Sequence, residues 1–458
     1  MPSKYKGISL TTASSLVIAN MVGTGVFTSL GFQLLGITDG FSILFLWLLG
    51  GIVSLCGALC YGELGVLFPR SGGEYNFLSK LFNPFIGFLS GWVSSTVGFA
   101  APVALASMLL GGYLSKVFFN VPQLFFSISV LVVITFVHST NIKTGSSFQN
   151  IFTSLKVILI LVIILAGLFF TNHQSIEFLP SSQSVKSIFS PAFAVSFFFV
   201  SYSYSGWNAA SYLVDEIRDS KKNLPLSLII GTGIVTVLYV FLNYTFLITA
   251  PISELVGQAE VAYYPAKYIF GINGAQIISI LIALLLISSI SSMVWAGPRV
   301  IKVMGEDVTA LSFFAKKSKS GLPVNAIVVQ SMISLLFIVT STFEQVITYL
   351  GFTLNMFTFL TILGFLMYKL KNKQDTTAYK VPLFPIVPLV FLLAGLWILI
   401  YGFVYKPKES LLGMLTLGYG AFFYWCQFPS TVFNILIKKS IKLSIFALIL
   451  LLSFLFLL

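Results

Sequence analysis

Long runs of apolar residues alternate with short polar, charged and Pro-containing joints along the whole chain. Cutting at the joints predicts twelve spans, at about 9–35, 41–67, 84–113, 122–139, 149–171, 190–214, 226–250, 272–300, 324–342, 345–368, 384–404 and 409–428. A thirteenth apolar run covers 441–458. Stretches such as Val157 to Phe170 and Ile277 to Ile287 hold no charged residue. About 20 residues carry a helix across a bilayer. Unpaired backbone groups are costly in hydrocarbon, so these segments must be helical. A transmembrane barrel is excluded because the runs are continuous and lack two-residue alternation.

Composition supports this pattern. Of 458 residues, 57% are hydrophobic and only 9% charged, where a soluble domain carries roughly 25%. The net charge of +12 informs through its location, since basic residues favour the cytoplasmic loops. With the amino terminus placed inside, 20 of the 26 basic residues fall in inner segments and five outside: Lys116, Lys186, Lys267, Lys406 and Lys408. Lys156 remains within span 5. The expected topology is a multi-pass protein of the inner (plasma) membrane with a cytoplasmic amino terminus. Three cysteines cannot form a disulfide framework; Cys56 and Cys60 share one helix face and Cys426 lies in another span. They read as small packing residues. The sequon at Asn243 falls inside a span and is expected to be unused. No metal-ligand cluster, phosphate-binding loop or nucleophile–base pair is present in the sequence, so neither an enzyme nor a cofactor or metal site is expected. His138 lies near an inner helix end and His173 in an outer loop.

Two spans carry features that ordinary membrane helices avoid. Span 1 holds Gly23-Thr24-Gly25 at its middle, and span 6 holds Ser201-Tyr202-Ser203-Tyr204-Ser205-Gly206-Trp207. Closely spaced glycines raise the entropic cost of helix and permit unusual backbone angles. Breaks five spans apart suit an inverted repeat of five plus five helices. Freed N–H groups at one break can hold a carboxylate, and freed carbonyls at the other an ammonium. The expected fold is an all-α integral membrane protein. Its inverted-repeat core covers 1–375, helices 11 and 12 cover 376–432, and a tail helix covers 433–458.

Four stretches carry a family resemblance. Val22-Gly23-Thr24-Gly25-Val26-Phe27 is similar to G-S-G-I-F of helix 1 in the amino acid–polyamine–organocation superfamily of permeases. Cys60-Tyr61-Gly62-Glu63-Leu64-Gly65 with Phe68-Pro69-Arg70-Ser71-Gly72-Gly73-Glu74-Tyr75 resembles its Y-A-E-L-G and P-R-S-G-G-E-Y signatures. Tyr204-Ser205-Gly206-Trp207-Asn208, Asp215-Glu216-Ile217-Arg218 and Lys222-Asn223-Leu224-Pro225 resemble the family's helix 6 region, and Ala296-Gly297-Pro298-Arg299 its helix 8 ending. The chain most resembles bacterial relatives of the L-type amino acid transporters.

The resemblance implies a secondary active transporter, with Thr24 and Gly25 donating N–H groups to the substrate carboxylate, Tyr202, Ser203 and Ser205 supplying carbonyls to its amino group, and Gly23, Gly206 and Trp207 completing the substrate-binding set. Tyr202 takes the gating aromatic position. Glu63, Arg70 and Glu74 read first as polar contacts of an inner helix end and turn, with Glu63 and Arg70 as candidate inner-gate residues. Ser205 stands where the L-type pattern has Gly, which narrows the expected pocket. The outer loop Ser115–Gln123 lacks the cysteine that L-type exchangers use to bind an accessory subunit, so no disulfide-linked subunit is expected.

Helix 3 residues Val97, Phe99 and Ala101 are the expected pocket wall facing Trp207 and Asn208. No acid sits centrally in a span, which favours a neutral amino acid over a cationic one or a polyamine. Lys156, roughly 10 Å into helix 5, either snorkels to the headgroups or replaces sodium beside helix 1 and Ser288, Ser289, Ser291 and Ser292, as in proton-coupled and exchanging relatives. Sodium-independent proton symport is expected, with Lys156 as proton carrier or fixed cation. Exchange is the alternative. A non-transporting sensor lacks the soluble tail it would need, and a channel lacks a charged constriction.

The last run, flanked by Lys438, Lys439 and Lys442, is barely long enough to cross and is expected to form an extra helix, crossing or lying at the inner face. A fluorescent reporter fused after Leu458 checks this, because bright cytoplasmic fluorescence is incompatible with a full crossing.

Overall fold

The computed structural model describes residues 7–140, 146–169, 173–316, 318, 322–372 and 378–425. These form helices and no strand beyond one bridge pairing Ile8 with Ile217. Cys426 and the 433–458 segment lie outside the described residues.

Helix α1 is broken into α1a (Leu10–Met21) and α1b (Ser29–Gln33). There follow α2 (Gly40–Leu67), α3 (Pro84–Ser115), α4 (Gln123–Thr140) and α5 (Ser146–Phe169). Helix α6 is broken into α6a (Pro191–Ser203) and the tighter, 3-10-like α6b (Ala209–Glu216). The chain continues through α7 (Ser220–Thr249), α8 (Tyr263–Asp307), α9 (Val324–Thr340), α10 (Phe343–Lys371), α11 (Ile386–Tyr405) and α12 (Pro407–Trp425). Eight of these, α2 to α5, α7, α8, α10 and α11, have the length and apolarity to cross a bilayer. The other expected spans coincide with the two broken helices and with α9 and α12.

Both breaks fall where the sequence places them, and they pack on each other. A Cβ at Gly25 would collide with Ser203, at the end of α6a. Gly206, at φ +97°, sits so close to Asn20 of α1a that a Cβ would lie 2.9 Å from its carbonyl carbon. Only glycine tolerates both that φ and that approach. The two crossings are reciprocal: the far side of one break meets the near side of the other.

Tyrosines bond carbonyls at the first break and brace the second against α2. Tyr239 of α7 donates to Met21 O (2.6 Å) and Tyr113 of α3 to Phe27 O (3.0 Å). Tyr204, in the α6 break, donates to Trp47 O of α2 (2.9 Å). The Trp47 indole N–H in turn donates to Gln33 Oε1 of α1b (3.0 Å). All these side chains are buried, as water-free satisfaction of backbone requires.

A third irregularity was not anticipated. Helix α3 contains a π-helical turn at Ser94–Gly98, an extra-residue bulge of the kind that accompanies functional sites. Ser95 and Thr96 donate their hydroxyls back to the carbonyls of Gly91 and Trp92 (2.7 and 2.9 Å). These local bonds compete with the regular ladder.

The ends of α2, α6b, α8 and α10 gather at one pole, called here the basic end. Buried Glu63 pairs with Lys369 of α10 (2.5 Å) and accepts the Val381 N–H (2.7 Å). Arg70 lies 3.6 Å from Asp307 of α8, and Ser71 N–H donates to Asp215 (3.0 Å). Removing Lys369 leaves a buried carboxylate without its cation, so Lys369→Ala should cost about 3 kcal/mol or more of stability. Arg70→Ala breaks an exposed pair and should cost under about 1 kcal/mol. Thermal unfolding of the two purified variants checks the contrast, and equal losses would contradict it.

Candidate functional site

A cavity of about 460 Å³ lies against both breaks. Gly23, Thr24 and Gly25 line it from α1, and Ser201, Tyr202, Ser205, Gly206, Trp207 and Asn208 from α6. Among the described residues the N–H groups of Thr24 and Gly25 make no backbone bond, because Gly23 turns back to Met21 O (2.8 Å) and the chain resumes bonding only at Phe27. On α6, Ser205 N–H caps Tyr202 O (2.8 Å), while among the described residues the carbonyl of Ser205, which lines the cavity, receives no backbone donor; Ser203 is not on the wall. The cavity therefore meets unpaired donors on one strand of chain and an unpaired acceptor on the other. That is the complement of a carboxylate and an ammonium held a few ångströms apart.

Most of the sequence-derived site residues meet at this cavity. Thr24 Oγ1 and Tyr202 OH are hydrogen-bonded at 2.5 Å, joining the two breaks through their side chains. The Ser203 side chain does not face the cavity; its hydroxyl donates to Phe199 O (2.7 Å) and pairs with Ser29 (2.7 Å). Trp207 packs edge-on to Tyr61 (centroids 4.8 Å) and Phe391 (5.9 Å). On α3 the π turn places Ser94, Gly98, Phe99 and Pro102 on the wall, whereas Val97 and Ala101 are buried outside it. A regular helix through these positions would orient them differently. The sequence signal available for this was the hydroxyl run Ser94-Ser95-Thr96 ahead of Gly98.

Lys156 is 2% exposed and not on the wall; its ammonium donates to Ser289 Oγ (2.6 Å), and Ser289 itself lines the cavity. Two residues on, Ser291 pairs with His138 Nε2 of α4 (2.8 Å), and both line the cavity. Glu63 and Arg70 lie away from it, in the ion pairs of the basic end.

The cavity continues toward the basic end, where Ile8, Thr12, Tyr212, Glu216, Arg299 and Val300 line it. Arg299 stacks over Trp295 at 3.6 Å. At the opposite end Phe32 of α1b is sandwiched by Phe199 (5.4 Å) and Phe343 (6.0 Å), and Lys116 faces Glu260 at 3.9 Å. Span-by-span reading missed Glu74 as a wall residue, because it belongs to the short connecting helix Glu74–Leu81 and not to a span. Its Oε1 accepts from Tyr61 OH (2.9 Å) and Asn208 Nδ2 (3.1 Å). Burial lifts the Glu74 carboxyl to about 7, against the opposing pull of those two donors. Among the described residues no group of His, Cys, Asp and Glu is placed to hold a metal ion.

Comparison with known proteins agrees with this architecture. The mouse (Mus musculus) b(0,+)-type amino acid transporter 1 is 26% identical over 434 residues, covering 92% of this chain and 88% of that protein. The human (Homo sapiens) b(0,+)-type transporter is 26% identical over 438 residues, with the same coverage. The mouse large neutral amino acids transporter small subunit 2 is 27% identical over 452 residues, covering 95% of this chain and 84% of that protein. The family model for amino acid permeases matches residues 8–432, which include every element of the cavity, and the chain belongs to that family of membrane transporters.

Proposed function

We propose that this permease carries a neutral amino acid across the inner membrane by sodium-independent proton symport with alternating access. The observation that carries the reading is the facing pair of breaks, with the N–H groups of Thr24 and Gly25 and the carbonyl of Ser205, all three residues on the wall of one cavity, free of backbone partners among the described residues. They match the two charged ends common to all amino acids and leave the side chain to be read by the rest of the wall. That wall includes Phe99, Pro102, Trp207 and Leu354, with Ser94, Asn355 and Thr358 as neutral polar groups. The two carboxylates on the wall, Glu74 and Glu216, lie on the basic side of the breaks. The amino terminus is assigned to the cytoplasm, so the basic end faces inward and the cavity, as it stands, faces the cytoplasm. Glu63 and Arg70 then belong to the ties that an inner gate makes and breaks.

Lys156 supports sodium independence. Its ammonium, bonded to Ser289, places a cation at the crossing where α5 meets α1 and α8. Exchange is the second reading, favoured by the same bond: a lysine held by a neutral hydroxyl can stay charged throughout the cycle. The name of the large neutral amino acids transporter marks it as one subunit of an assembly. For this chain we propose operation without a disulfide-linked subunit. The Ser115–Gln123 loop has no cysteine, and among the described residues Cys56 and Cys60 are buried.

A thermal-shift screen of the purified protein with the twenty amino acids identifies the substrate, since a ligand stabilises by mass action. Stabilisation by cadaverine or spermidine, with none by amino acids, would remove the zwitterion reading. In proteoliposomes, wild-type uptake should need no sodium. Lys156→Ala should lose proton-driven accumulation by about tenfold or more while keeping part of its substrate-induced thermal shift. Full accumulation by that variant would exclude Lys156 from coupling.

A further inference from the structure

The cavity wall holds a carboxylate that the amino acid reading leaves unused. Glu74 is 4% exposed, starts the connecting helix between α2 and α3, and touches the cavity. Its two side-chain bonds converge on one oxygen, Oε1, and come from two other elements: Tyr61 of α2 and Asn208, just past the α6 break. Oε2 has no protein partner among the described residues. The backbone joins the same elements again, since Gly72 N–H donates to Tyr212 O (3.3 Å), and Gly73, at φ +53°, fits under the Tyr212 ring. One carboxylate thus ties the far side of the α6 break to α2 and to the connecting helix.

The charges around it are spoken for elsewhere. From α2 the other acid, Glu63, is paired with Lys369 of α10, the helix that packs on the connecting helix. From the connecting segment, Arg70 and Tyr75 both engage Asp307 of α8. From α6b come the neutral Tyr212 hydroxyl, Asp215 bonded to Ser71, and Glu216. Arg299 of α8 is stacked on Trp295. No cation pairs with Glu74 among the described residues. A buried carboxylate with neutral donors and no counter-charge binds a proton more readily than one in water, and the cavity offers the proton a path.

We propose that Glu74 is a proton-binding site of the transport cavity, and that protonation loosens its hold on Asn208 and so frees α6b to move. An ionised acceptor makes hydrogen bonds roughly twice as strong as a neutral one. Gaining a proton therefore weakens the Tyr61 and Asn208 bonds together, without disturbing the bonds that build the α1 break. This rests on the reading of the cavity as the substrate path, and places in it a second titrating group, separate from Lys156.

Infrared difference spectra of the purified full-length protein, titrated from about pH 5 to about pH 9, test the site directly. A protonated-carboxyl band should be lost as the pH rises, with a midpoint near pH 7, and be missing in Glu74→Gln. In Tyr61→Phe the lost donor should move that midpoint upward by about one pH unit. This variant tests the assignment even if Glu74→Gln does not fold. In proteoliposomes, the wild-type initial rate of leucine uptake should change about threefold or more between about pH 6 and about pH 8. Glu74→Gln should flatten that profile, and Glu74→Asp should restore it. Lys156→Ala should keep the carboxyl band even where it loses accumulation, which separates failure of this site from failure of the coupling reading. Survival of the band in Glu74→Gln, an unmoved midpoint in Tyr61→Phe, or an unchanged uptake profile in Glu74→Gln would each overturn the proposal.

Discussion

The structure depends on one constraint: a peptide group exposed inside a bilayer has no water to bond to. Two helices here are interrupted at mid-depth, and each interruption frees several backbone donors and acceptors. Tyrosine hydroxyls meet two of the carbonyls at the first interruption, from Tyr239 to Met21 and from Tyr113 to Phe27, and Tyr204 braces the second against α2. The protein leaves unbonded those that face the cavity. An opening of this sort persists only where the surroundings over-determine it. That role falls to the reciprocal contacts of Gly25 on Ser203 and Gly206 on Asn20.

Electrostatics follow the same economy. Charges are kept to the poles, and each pole closes over itself with different chemistry. The basic end uses one largely buried pair, Glu63 with Lys369, together with looser solvent-facing contacts such as Arg70 with Asp307. The opposite end relies on aromatic stacking around Phe32 and on partly exposed pairs, Lys116 with Glu260 and Lys406 with Glu344. Inside the membrane, Lys156 and His138 are each satisfied by one serine hydroxyl of α8. A hydroxyl can accept from a charged or a neutral partner with little rearrangement, which a carboxylate could not do without changing the charge of the site.

Sequence made the spans legible because hydrocarbon imposes a single solution on a long apolar run, and the observed helices fall within a few residues of the expected bounds for most of the twelve. The breaks were legible for the same reason in reverse, since paired glycines and crowded hydroxyls have little place in an undisturbed membrane helix. Side-chain facing was less accessible. The π turn at Ser94–Gly98 shifts the phase of α3, so Phe99 reaches the cavity while Val97 and Ala101 do not. Motif position assigned Ser203 to the site by its carbonyl and says nothing of its hydroxyl, which is drawn to Phe199 O. Glu74 escaped notice as a wall residue because local sequence places it in a polar turn. Its approach to Asn208, 134 positions away, is a property of the assembled bundle.

The aromatic group formed by Trp47, Tyr204 and Tyr239 has a mechanical consequence. Their rings lie 5.1 to 6.0 Å apart, and their polar tips reach Gln33, Met21 and the α2 backbone. The three side chains thereby tie α1, α2, α7 and the end of α6a into one stiff block, from which α6b is left out. Shear inside that block would strip buried hydroxyls of their acceptors, whereas sliding of the block against α3 and α8 would break few such bonds. The soft direction of the molecule is therefore set by where its tyrosines are bonded, and the cavity lies along the seam.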